Sequence, residues 1–127
     1  MSNSFIDKIK EMHTKFGIAN NGGATQLSKE EKEFRVNCLK EEIREFAEAE
    51  SLEDQLDALL DAIVFAFGTL ERMGMLEVSE EAFKRIMQAN MNKTIGTATK
   101  EREGGKSFKL DLVKPSNWEA PKFDDLI

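Results

Sequence analysis

Apolar residues recur along the first ninety positions at the spacing of helices rather than strands. Phe5, Ile9, Met12 and Phe16 fall at i, i+4, i+7 and i+11, the stripe of an amphipathic helix from about Phe5 to Phe16 that stops at Gly17. Between Ile18 and Leu27 the pattern dissolves around Asn20-Asn21-Gly22-Gly23, which favours turns, and a loop is expected. Ser28-Lys29-Glu30-Glu31 reads as a capping box, with Ser28 as N-cap and Glu31 reaching back to its amide. With no Gly or Pro to interrupt it, this second helix runs to about Glu50. Ser51 caps a third helix, with Asp54 at its third position, that continues to about Met73 and ends at Gly74. Ser79 caps a fourth, roughly Glu80 to Lys93, with Phe83, Ile86, Met87 and Met91 as its buried face.

The character changes after Thr94. Both prolines, Pro115 and Pro121, and the only tryptophan, Trp118, fall here with the Gly104-Gly105 pair. An irregular or short-hairpin tail is expected, packed through Phe108, Leu110, Leu112, Trp118 and Phe123. The expectation is a single all-α domain over 1–127: a four-to-five-helix antiparallel bundle (body about 5–94) with an irregular C-terminal tail (about 95–127).

Composition narrows the function classes. With 127 residues and 40% apolar content, the chain fills one core. Its 24 acidic against 18 basic side chains leave a net charge of −6, which argues against general nucleic-acid or anionic-membrane binding. From Lys84 onward the balance reverses, with nine basic and six acidic residues. Cys38 is the only cysteine, so no intrachain disulfide exists and a reducing compartment is the default. The N-terminus has no apolar signal core, and the longest uncharged apolar stretch, Ala62 to Leu70, is far short of the roughly 20 residues that span a bilayer. A cytoplasmic protein is expected.

The chemistry lies in the carboxylates. On the second helix, Leu39, Ile43 and Phe46 define the centre of a buried face, with Glu42 about 60° from it and Glu45 and Glu41 further round. Each of these glutamates also reads as a solvated flank. The third helix is more telling: nine of the ten residues from Ala58 to Phe67 are apolar and cover every side, so Asp61 is expected in the interior. An unpaired ionised carboxylate there costs several kcal/mol and calls for a base, a proton or a metal. Asp57, one turn earlier, and Asp54 behind it are acids, which favours a cation over a remote lysine or arginine. Oxygen-only ligands suit Mg²⁺ or Mn²⁺. Zinc is disfavoured with one Cys and one His, and neither Glu-x-x-His pairs nor an EF-hand loop occurs. His13 reads as a surface or interface histidine. An all-round apolar helix also needs more cover than three other helices provide, which points to a partner subunit.

Glu41-Glu42-x-x-Glu45 followed by Asp57-x-x-x-Asp61 on an apolar helix resembles the all-α nucleoside triphosphate pyrophosphohydrolases, which include MazG-like and phosphoribosyl-ATP pyrophosphohydrolase-like proteins. The phrase Asp57-Ala-Leu-Leu-Asp61 through Gly68-Thr69, then Asn90-Met91-Asn92-Lys93, Gly105-Lys106-Ser107-Phe108-Lys109, Trp118 and Pro121, is most similar to the phage-type members of the second branch. One departure stands out. Ala58 occupies the place of the Glu in the superfamily's Glu-x-x-Asp, and Asp57 is one residue off.

The resemblance implies a hydrolase that cleaves the α–β phosphoanhydride of a (d)NTP or phosphoribosyl nucleotide, with Mg²⁺ or Mn²⁺ as cofactor. It implies Glu42, Glu45, Asp57 and Asp61 as metal ligands, and Glu41 as ligand, supporting group or base. Asn90, Lys93, Lys106 and Lys109 become candidate contacts to phosphate or sugar, and a homodimer or homotetramer the expected assembly. The other reading is a non-catalytic helical nucleotide-binding or regulatory protein with a degenerate metal site, for which Ala58 speaks.

Overall fold

In the computed structural model, the described residues are 4–97, 102–105 and 107–127. The elements in order are α1 (Phe5–Lys15), α2 (Lys29–Glu48), α3 (Leu52–Arg72), α4 (Ser79–Met91), β1 (Thr94–Gly96), β2 (Asp111–Val113) and a closing 3-10 turn (Asp124–Leu126). The protein is thus mostly helical, with four helices and one two-stranded antiparallel ribbon in which Ile95 faces Leu112. None of the helices is long and apolar enough to cross a membrane, among the described residues. The chain divides into two compact units, Met1–Ser79 and Glu80–Ile127.

In the first unit, α3 packs against both α1 and α2. The caps explain the helix starts. Ser4, Ser28 and Ser51 each accept the amide of the residue three positions on, Asp7, Glu31 and Asp54. Ser28 does half of what a capping box requires. The Glu31 carboxylate does not return to the Ser28 amide; it takes the Arg72 guanidinium at 2.6 Å instead, because the end of α3 passes beside it. Gly74 ends α3 at a φ of +69°, and a Cβ there would lie 2.4 Å from the Gly23 carbonyl oxygen, so only glycine fits where the loop crosses.

The buried faces differ from the apolar stripes. On α1, Ile9 and His13 are buried, while Phe5, Met12 and Phe16 are exposed. On α2, the buried residues are Arg35, Cys38 and Glu42, and Ile43 and Phe46 face outward. On α1 the interior is taken by a polar cluster. The His13 imidazole, 1% exposed, meets the Glu71 carboxylate at 2.5 Å from Nδ1, and the second Glu71 oxygen accepts the Asn20 amide at 2.9 Å. His13 is therefore a core residue, not a surface one. Asn20 also donates from its side chain to the Arg72 carbonyl, and Arg72 donates to the Ile18 carbonyl, so the 17–27 loop is tied to the end of α3.

In the second unit, Trp118 Nε1 donates to the Ala89 carbonyl at 2.6 Å, fixing the tail to α4. Arg85 reaches both oxygens of Asp125, the Lys122 carbonyl and Glu81. Here too some expectations fail. Ser79, the last residue of the first unit, opens α4 from within its first turn and donates to the Leu76 carbonyl rather than capping. Phe83, Ile86, Met87 and Met91 are exposed, and only Ala89 of α4 is buried. In the tail, Trp118 and Phe123 are half-buried, but Phe108, Leu110 and Leu112 are exposed.

Candidate functional site

The α2–α3 hairpin turns at Ala49-Glu50-Ser51, and its facing residues run in opposite directions: Glu31 meets Arg72, Arg35 approaches Gly68, and Glu42 stands in the field of Asp61 and Asp57. The acids therefore gather toward the turn. Glu42 is 9% exposed, and its Oε2 has no hydrogen-bond partner. Burial pushes its carboxyl upward first, then the Glu45 carboxylate within hydrogen-bonding range, then the charges of Asp61 and Asp57. Asp61 is half-buried rather than fully interior, and its carboxyl is also raised, by burial first and then by Asp57 and Glu45. Four carboxylates from two helices thus act on one another, and none has a basic partner among the described residues.

Asp57 is exposed yet influences both Glu42 and Asp61, so the one-residue offset does not remove it from the cluster. Ala58 is 2% exposed, buried in the helix contact. Glu41 and Glu45 are exposed.

The donor set suits a hard divalent ion: all oxygen, negatively charged, one oxygen buried without a partner. Among the described residues no three acidic, His or Cys side chains already converge closely enough to hold a metal. Glu45 already lies within hydrogen-bonding range of Glu42, and holding an ion would further require Asp57, on the surface, to turn inward.

The remaining candidates lie in the second unit. Asn90 is half-buried on α4. Lys93, also half-buried, places its ammonium 5.2 Å from the centre of the Trp118 ring, and Lys114 places its own at 4.8 Å. Sequence reasoning missed Lys114. Lys109 is exposed, and Lys106 lies outside the described residues. Also missed was the His13–Glu71 pair, which joins positions 58 residues apart. Its one local signal is Gly68, a glycine inside an apolar helix that marks a close approach.

No curated protein matches the chain significantly. The phosphoribosyl-ATP pyrophosphohydrolase family does match, over residues 9–90, a stretch that contains α2, α3 and all four clustered carboxylates. On that match, the chain belongs to the phosphoribosyl-ATP pyrophosphohydrolase family, hydrolases that act on the pyrophosphate bonds of nucleotides.

Proposed function

We propose that the protein is a Mg²⁺- or Mn²⁺-dependent nucleotide pyrophosphohydrolase that cleaves the α–β phosphoanhydride of a (d)NTP or phosphoribosyl nucleotide, giving a monophosphate and pyrophosphate. The observation that carries this reading is the Glu42 carboxyl, buried, one oxygen unpartnered, with Glu45, Asp57 and Asp61 adding like charge around it. Such an arrangement is unfavourable alone and becomes favourable when a cation is bound.

Glu42, Glu45, Asp57 and Asp61 would hold the ion. Bound there, it would neutralise phosphate oxygens and make water a stronger acid. Glu41, exposed beside Glu42, is suited to accept the proton of the attacking water. In the second unit, Asn90, Lys93 and Lys109 offer donors to phosphate and sugar oxygens.

The working form is a homodimer or homotetramer. What supports it is the outer side of the hairpin: Leu52 (85% exposed), Leu56, Leu59, Leu60 and Ile63 of α3 stand in solvent with Ile43 and Phe46 of α2.

Measurement of pyrophosphate released from a panel of nucleotides, with Mg²⁺, with Mn²⁺ and with chelator, tests the reading, with Asp61→Asn as control. Metal-dependent release that Asp61→Asn abolishes is expected. Absence of release across the panel would leave the binding or regulatory protein, consistent with the buried Ala58.

A further inference from the structure

The base of the ribbon in the second unit brings two lysines together. Thr94 pairs with Val113 in an antiparallel register, and one step further along it Lys93 comes opposite Lys114. Like charges placed directly opposite on a ribbon repel each other. Among the described residues, no ion pair involves either ammonium. Both instead converge on Trp118, at 5.2 and 4.8 Å from the centre of its ring. The ring's quadrupole attracts each cation and orients it, but leaves its charge whole. Trp118 is itself fixed, half-buried and donating from Nε1 to the Ala89 carbonyl.

The carboxylate that Lys93 feels is already taken. Asp111 lies in the field of Lys93, but both of its oxygens are held by Arg102, at 2.8 and 2.5 Å. In the same way Asp125 gives both oxygens to Arg85. The arginines of this unit are thus paired, while the two lysines on the tryptophan are not. From Lys84 onward, nine basic residues against six acidic ones add a background field that favours an anion. A carboxylate would offset only one of two converging ammoniums. An anion with several charges on neighbouring oxygens offsets both, and lysine serves phosphate as a point charge. A phosphoanhydride has that chemistry.

We infer that Lys114 joins Lys93 on Trp118 to form a two-ammonium clamp for a phosphoanhydride, either the polyphosphate chain of a nucleotide or free pyrophosphate. Its part in turnover rests on the pyrophosphohydrolase reading, and the test keeps the two apart. Trp118 is the sole tryptophan, so its emission reports the charges beside its ring. Titration with sodium pyrophosphate in chelator is expected to shift that emission saturably, with inorganic phosphate binding about tenfold more weakly. Lys114→Gln is expected to weaken pyrophosphate binding about tenfold or more, and Lys114→Arg, which keeps the charge, to restore most of it. Lys122→Gln, which removes the same charge from another exposed position, is expected to bind as wild type does. Because Lys114 is exposed and its removal relieves repulsion, Lys114→Gln is expected to melt no lower than wild type. ATP in the same titration separates the sources. A response matching that to pyrophosphate assigns the clamp to the nucleotide's chain, and Lys114→Gln then raises KM; a response to pyrophosphate alone assigns it to the released product, and Lys114→Gln then relieves product inhibition. No emission change with pyrophosphate, an equal response to inorganic phosphate, or binding unchanged in Lys114→Gln overturns the inference. Absence of turnover with pyrophosphate binding intact overturns only the enzymatic reading.

Discussion

The two ends of the α2–α3 hairpin are both polar and partly buried, but they are built on opposite principles. Away from the turn, each carboxylate has a partner: Glu71 has His13 and Asn20, and Glu31 has Arg72. Near the turn, Glu42, Glu45, Asp57 and Asp61 have one another, and Glu42 keeps an unpartnered oxygen. A satisfied polar network holds a fold together, whereas an unsatisfied one of a single sign holds a place for something else. The contrast supports a stabilising role for the paired carboxylates and, under the function proposed above, a chemical role for the clustered ones.

The largest expected effect tests that division directly. Asp61→Asn should lower pyrophosphate release by on the order of 10³-fold in kcat, a loss of about 4 kcal/mol from the transition state, while leaving the chelated protein's melting temperature unchanged or raised. A parallel loss of stability would refute the assignment. At the other end, Glu71→Ala should cost about 3 kcal/mol in urea unfolding, since it strands a buried imidazole and an amide donor. Smaller is Gly74→Ala, expected to cost about 2 kcal/mol because the new Cβ meets the Gly23 carbonyl at a φ of +69°.

The subtlest effect is in pH dependence. The carboxyls of Glu42 and Asp61 are raised above their ordinary values of 4.5 and 3.8, so the folded state binds protons more readily than the unfolded one. Their penalty is fully present above the folded values and is relieved as pH falls toward the ordinary carboxylate range. Glu31, lowered chiefly by its hydrogen bond to Arg72, has the opposite sign and loses its contribution as pH falls through its depressed value. Subtracting the melting curve of Glu42→Gln from that of wild type, both in chelator, isolates the first trend: the difference should shrink as pH is lowered. A difference independent of pH would mean that Glu42 is not strained. Excess Mg²⁺ should reverse the trend, because protons then compete with the ion.

Helix placement was legible in the sequence because it depends on local chemistry. Ser28 and Ser51 cap as their positions suggest, and Gly17 and Gly74 end helices at positive φ. Asp61, read from its apolar surroundings, does sit among acids and raised by burial, though half-buried where full enclosure was expected. The buried faces were not legible, since a hydrophobic stripe marks a core only when the core is hydrophobic. On α2 the inward row is Arg35, Cys38 and Glu42, and the apolar residues Phe34, Ile43 and Phe46 point away. A pairing such as His13 with Glu71 depends on the path of the chain, and no window of local sequence contains both. The box at Ser28 was half-read for the same reason, because Arg72, distant in sequence, claims the Glu31 side chain.

Cys38 lies between Arg35 and Glu42 on that inward row, buried, its thiol pushed up by desolvation first and then by the charge of Glu41. A thiol so placed reacts with alkylating reagents only when the two helices part. The labelling rate of this sole sulfhydryl is therefore an intrinsic gauge of how often the hairpin breathes, and of how far a divalent ion or a nucleotide locks it shut.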